Sequence, residues 1–148
     1  MIEYKIKESS QKDIFLHLRK CNQSFVPVLS NKVDLAKYST KIFDYAVTFE
    51  AWEESEIIGL IAAYFNDDKS KKGFITNVSV IPDRNNKGIA GNLINMVKDY
   101  ASKNSFEILQ LEVHLQNIKA IEFYLKKGFE IIDKKEESID MEFKKVKL

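Results

Sequence analysis

Apolar and polar residues alternate with period two at both ends of the chain and in its middle, and with helical period between those stretches. Residues 2–8 set Ile2, Tyr4 and Ile6 against Glu3, Lys5 and Lys7, the pattern of a half-buried strand. Ser10 with Asp13 three residues on reads as a capping box, and Ile14, Phe15, Leu18 and then Cys21 or Asn22 follow at helical spacing. Residues 25–30, which include Pro27, read as a loop. A second amphipathic helix is predicted over 34–45, with Leu35, Tyr38, Ile42 and Phe43 or Tyr45 towards the core. Alternation resumes over 46–53, and Glu54-Ser55 forms a hairpin turn. Residues 56–65 are nearly continuously apolar, as expected of a strand covered on both faces near the centre of a sheet.

The charged run 66–72 reads as a solvated turn, 73–81 as a strand and 88–102 as a helix that turns Ile89, Leu93, Ile94, Val97 and Ala101 to one side. A strand over 106–115 and a short helix over 118–127, closed by Gly128, come next. Residues 129–133 and 139–146 close the chain as a hairpin. The order β-α-α-β-β-β-α-β-α-β-β, with no repeat or linker, predicts one α/β domain over residues 1–148 with a mixed sheet.

Composition narrows the function classes. With 23 basic and 22 acidic residues, the charge is balanced, so no global attraction to nucleic acid or to an anionic membrane is expected. The single cysteine, Cys21, excludes an intrachain disulfide and a cysteine-rich zinc site. His17 and His114 lack the spacing of a metal site, so no metal is expected. The N-terminus is unlike a signal peptide, and the longest apolar run is too short to span a bilayer; a cytoplasmic protein with no membrane association is expected. The C-terminal strand could pair with a second chain, which leaves a homodimer open.

Chemistry concentrates in VIPDRNNKGIAGNLI, residues 80–94. An apolar strand ends at Pro82 and a helix starts near Gly88. A helix start exposes unpaired N–H groups and carries partial positive charge, and Gly88, Gly91 and Lys87 suit it to a phosphate or pyrophosphate. The P-loop spacing and the GxGxxG pattern are both absent. The segment resembles motif A of the GNAT superfamily of acyl-CoA N-acyltransferases, whose turn reads [Q/R]xxGx[G/A]. Asn85, Asn86, Lys87, Gly88, Ile89 and Ala90 fall in that register, with Asn85 where the family has Gln or Arg. A second segment, NIKAIEFYLKKGFE at 117–130, resembles the other hallmark of that family, with Asn117, Ala120, Phe123, Tyr124, Gly128 and Phe129 in register.

The resemblance implies a GNAT fold: α/β (α+β), with a central mixed, mostly antiparallel sheet of about seven strands flanked by four helices. It implies an acetyl-CoA-dependent N-acetyltransferase acting on a primary amine. Val78, Ser79 and Val80 would receive the acyl and pantetheine portions, and Asn86, Lys87, Gly88, Ile89, Ala90 and Gly91 the pyrophosphate. Asn117 would bind the pantetheine arm, and its oxygen is also placed to cap the next helix. Tyr124 would be the general acid towards the departing thiolate, also in contact with acetyl-CoA. Alternation along LQLEVHLQN sets Gln110, Glu112 and His114 on one face of a strand. Glu112 is the candidate general base, in a position that resembles the base of peptide N-terminal acetyltransferases of the superfamily; His114 is its rival, and Asn77 or Ser79 could order a relay water. Phe25, Tyr38, Phe43 and Tyr45 are expected on the acceptor's wall, with Arg19, Lys32, Asp34 and Lys37 nearby. The acceptor, a small molecule or a peptide, is unnamed by these residues. A catalytically silent acyl-CoA-binding or sensing module is the alternative.

Overall fold

The strand Glu56–Asp67 (β3 below) is the middle of the fold, because its side chains are wanted on both sides. Leu60 and Ala62 turn towards one helical layer and Ile61 and Ala63 towards the other, and all four are fully buried. A computed structural model describes residues 1–85 and 88–145. Along these the strands are β1 (Glu3–Ile6), β2 (Val47–Glu53), β3 (Glu56–Asp67), β4 (Lys72–Val80), β5 (Ile108–His114), β6 (Glu130–Lys134) and β7 (Ser138–Lys144). The helices are α1 (Gln11–Cys21), α2 (Leu35–Tyr45), α3 (Ile89–Lys103) and α4 (Ile118–Lys126). The strands form a seven-stranded sheet in the order β1-β2-β3-β4-β5-β7-β6. The mixed, mostly antiparallel sheet flanked by four helices is the architecture the sequence predicts.

Local signals account for the helix starts. Ser10 accepts from the Asp13 N–H while Asp13 accepts from the Ser10 N–H, so the capping box forms. Asp34 caps α2 by accepting from the Lys37 N–H. α1 and α2 pack Ile14, Leu18 and Ile42 on one face of the sheet, while α3 packs Ile89, Leu93, Ile94 and Val97 on the other. Gly59 lets α3 come close: a Cβ there would lie 2.6 Å from Ile89 Cγ2 and 3.2 Å from Leu93 Cδ1.

Two expectations are corrected here. Phe43 and Tyr45 do not reach the core: they are 43% and 63% exposed, and the inner face of α2 is made by Ile42 and the small Ser39, with Leu35 and Tyr38 packed partly buried beside them. Ser39 fits because its hydroxyl donates back to the Leu35 carbonyl, which satisfies it within the helix. The C-terminal strand is also not free to pair with a second chain. β7 lies between β5 and β6, antiparallel to both, so the sheet edges are β1 and β6.

The decisive feature for function is the one parallel pairing. β4 and β5 pair only through Lys72–Ile108, Gly73–Leu109 and Phe74–Gln110. Beyond Phe74 the strands part, and a register shift lies in the β3–β4 ladder between Ala62 and Ala63. The end of β4 therefore keeps β3 on one side and faces an opening on the other.

Candidate active site

That opening is a cleft of about 1070 Å³. Ile75 to Val80 form one wall, Leu111 to His114 the facing one, and Gly88, Ile89, Ala90 and Gly91 one end. Asn117, Ala120, Phe123 and Tyr124 of α4 and its cap also line it, as do Phe25, Val26, Pro27, Leu29 and Lys32 before α2. Strand alternation determines what β4 offers. The Ile81 N–H donates to the Ile58 carbonyl at 2.9 Å, and Ser79 sits opposite Leu60 in the same ladder. The backbone groups of Ile81 and Ser79 thus face β3, and those of Val78 and Val80 face the cleft. These are hydrogen-bonding groups of a buried sheet left open to a ligand.

At the end of the cleft Gly88 is the N-cap residue of α3, with φ of 74°, in the left-handed region that favours glycine. Among the described residues no neighbouring atom lies within 4 Å of the place where its Cβ would be. Lys127, at the end of α4, brings its Nζ to 3.2 Å from the Cβ position of Gly91. A cation thus stands beside the first turn of α3, though Lys127 is not itself among the lining residues of the cleft, and the helix start favours a phosphate at that end. Asn86 and Lys87, expected in the same cradle, lie outside the described residues. Lys127 had no signal in the sequence, because only the packing of α4 against α3 brings it there.

Tyr124 is 8% exposed, and desolvation pushes its phenol well above the ordinary value. It keeps its proton throughout the neutral range. Asn117 caps α4: its Oδ1 accepts from the Ala120 N–H at 3.3 Å, and its amide nitrogen is not used in that cap.

On the facing wall Glu112 and His114 share one face of β5, while Leu109, Leu111 and Val113 are buried on the other. Ser138 Oγ donates to Glu112 Oε2 at 2.6 Å, and Lys135 Nζ stands 3.3 Å from the same oxygen. The Ser138 hydrogen bond, with Lys135 beside it, holds the Glu112 carboxyl below the usual carboxylate range. His114 Nδ1 accepts from the Gln116 N–H at 3.1 Å. In the neutral ring the proton is then on Nε2, so the free nitrogen is a donor and is not suited to take a proton.

Of the four aromatic residues expected on the acceptor wall, one lines the cleft. Phe25 lines the cleft, but Tyr38 is not among the lining residues. Its hydroxyl donates to the Thr76 carbonyl at 2.9 Å and meets Thr76 Oγ1 at 2.8 Å, so it braces the irregular part of β4 from behind. Phe43 and Tyr45, exposed on α2, are not among the lining residues either. Behind Ser79 lies a buried polar group that the sequence did not single out: His17, in contact with Ser79 and Cys21. Among the described residues there is no group of three or more His, Cys, Asp or Glu placed to hold a metal ion. No helix among them is long and apolar enough to cross a membrane.

A mixed sheet that opens between two parallel strands, with a helix start at the end of the opening, defines an acyl-CoA N-acyltransferase fold. The model of the acetyltransferase (GNAT) family matches residues 12–129, and the chain belongs to that family. It is 34% identical over 88 residues to an uncharacterised N-acetyltransferase of Bacillus subtilis, YhfO, an alignment covering 57% of this chain and 59% of that protein. The chain spans less than two thirds of the length of the curated relatives it matches. Among solved structures, the PaiA N-acetyltransferase of Thermoplasma acidophilum in complex with coenzyme A superposes with a TM-score of 0.77 at 19% identity, covering 97% of this chain and 99% of that one. A putative GNAT-family acetyltransferase of Desulfovibrio desulfuricans gives 0.79 at 13% identity, covering 97% and 99%. At these identities the likeness establishes the fold.

Proposed function

We propose that the protein transfers the acetyl group of acetyl-CoA to a primary amine held in a ternary complex. The observation that carries this reading is the parting of β4 from β5. It turns the backbone N–H groups of Val78 and Val80 into an opening that also holds the Tyr124 phenol and ends at the start of α3. The thioester carbonyl accepts from the β4 backbone, which polarises it. Gly88, Ile89, Ala90 and Gly91 hold the pyrophosphate with Lys127, joined by Asn86 and Lys87, and the Asn117 amide meets the pantetheine arm. The amine nitrogen bonds to the carbonyl carbon as the carbon–sulfur bond breaks. Tyr124 gives its proton to the sulfur, and the proton lost by the amine passes to Glu112, directly or through water.

Glu112 enters this scheme as an ionised carboxylate that also attracts the incoming ammonium. His114, a donor at its free nitrogen, fits the base role less well. Phe25 forms the apolar wall on the acceptor side, and Tyr38 supports β4.

The test is a screen with acetyl-CoA and a panel of amines, following thiol release: an alanine-initiated peptide, free amino acids, spermidine and an aminoglycoside. Turnover of at least one amine is expected. Binding of CoA with no turnover of any amine would favour the second reading, a silent acyl-CoA-binding module. The ion pair that already occupies Glu112 is the observation in its favour.

A further inference from the structure

His17 and Ser79 form a contact that decides which way a hydroxyl in the cleft wall points. His17 is 2% exposed, below the sheet on α1, and Ser79 lines the cleft from β4. His17 Nδ1 lies 3.1 Å from the Ile57 carbonyl and Nε2 lies 2.9 Å from Ser79 Oγ. A carbonyl only accepts, so Nδ1 carries the ring proton. Burial keeps the ring neutral, which leaves Nε2 bare. Nε2 has two neighbours with a proton to give: Ser79 Oγ, and Cys21 Sγ at 3.7 Å. The hydroxyl is nearer and the stronger donor. Ser79 therefore donates its only proton to His17. The structure sets Asn77 Oδ1 2.9 Å from Ser79 Oγ, as a second acceptor for the same hydroxyl. One proton cannot serve both, so the assignment to His17 requires the Asn77 amide turned over, with its nitrogen donating to Ser79.

We propose that Ser79 is the acceptor that receives an N–H of the incoming amine, and that His17 is its positioning residue, holding the Ser79 proton away from the cleft. This rests on the acetyl-transfer reading. An attacking amine needs its lone pair free for the carbonyl carbon. A serine hydroxyl able to rotate could donate to that lone pair and quench the nucleophile; one tied to a bare imidazole nitrogen can only accept. Ser79 lies between Val78 and Val80, whose backbone groups face the cleft, so an amine bound to Oγ is next to a carbonyl held by that backbone.

Two measurements test this. Nitrogen-15 NMR of the wild-type protein, whose only histidines are His17 and His114, reads the tautomer without any acceptor. His17 is expected to be protonated on Nδ1 near pH 7, with an Nε2 resonance that moves in Ser79→Ala; a proton on Nε2 would overturn the assignment. Kinetics with acetyl-CoA and propylamine, a minimal primary amine, read the role. Ser79→Ala is expected to lower kcat/KM for propylamine about 10-fold, the loss of one hydrogen bond to a polar ligand, with KM for acetyl-CoA within about two-fold. His17→Leu should give the same loss, His17→Gln should recover most of it because its amide oxygen accepts the Ser79 proton, and the Ser79→Ala/His17→Leu pair should lose no more than either alone. An unchanged kcat/KM in Ser79→Ala overturns the proposal. If wild type turns over neither propylamine nor any amine of the panel, the acetyl-transfer reading fails too; the NMR result then tells whether the Ser79–His17 pair stands apart from it.

Discussion

Tyr124 holds its proton because burial makes the phenolate costly, so the group beside a departing thiolate is present in its donor form. Tyr124→Phe is expected to lower kcat at least about 10-fold, the low end for lost acid catalysis, while CoA affinity by titration calorimetry stays the same. An unchanged kcat would remove Tyr124 from the mechanism. Glu112 calls for a different profile. Its hydrogen bond from Ser138 keeps it ionised across the neutral range, so a rise in rate above neutral pH belongs to the acceptor's ammonium. Glu112→Gln should lower kcat/KM with the shape of the pH profile above about pH 6 retained. A third residue matters to stability alone. Glu50 is fully buried on β2 and accepts from Ser9 Oγ and Thr48 Oγ1 at 2.6 Å, from Trp52 Nε1 at 3.0 Å, and from the N–H groups of Glu8 and Ser9. It joins the β1–α1 connection to the sheet. Glu50→Gln turns a donor on some of these donors and is expected to cost about 3 kcal/mol by urea denaturation. Tyr124 and Glu112 were legible as residue types at motif spacing. The partners that set their protonation, from burial and from Ser138, lie across the fold from them.

Among the elements, α3 carries the anion cradle, and its position depends on the bare surface of β3 at Gly59. A side chain there would press on Ile89 and Leu93 in the first two turns of α3, and Ile89, branched at Cβ, has little freedom to move aside. Gly59→Ala is expected to cost about 1–3 kcal/mol and to weaken CoA binding in calorimetry more than a surface substitution of equal stability cost would. Equal CoA affinity would separate the cradle from this contact. Periodicity located α3, α4 and every strand to within a few residues, since each buries a regular stripe. It misjudged Phe43 and Tyr45, for which helical phase alone allowed a core position. The neighbouring sheet decides how wide the buried stripe of α2 is: Ile42 and Ser39 are buried, Leu35 and Tyr38 pack against the core at its edge, and Phe43 and Tyr45 fall outside.

Across the whole molecule, stability is tied to pH through His17. Its folded-state pKa is lowered by burial from 6.5 to about 4, so between these values the unfolded chain binds the proton more readily. Stability is therefore full above about pH 6.5 and falls as pH drops towards 4, by up to about 3 kcal/mol. Between about pH 7.5 and 5 wild type is expected to lose roughly 2 kcal/mol more than His17→Gln in paired urea titrations. Equal losses would show that His17 takes up its proton without unfolding.

What the chain determined alone was local: where apolar stripes of period two and 3.6 begin and end, which residues cap the helices, and two motifs at a set separation. These need only neighbours along the backbone, so the element order and the family resemblance were legible. The parting of β4 from β5, Lys127 beside Gly91, Tyr38 behind Thr76 and the His17–Ser79 contact join residues far apart in the chain. Their distances follow from how the two helical layers close on the sheet, and no spacing along the sequence encodes that closure by itself.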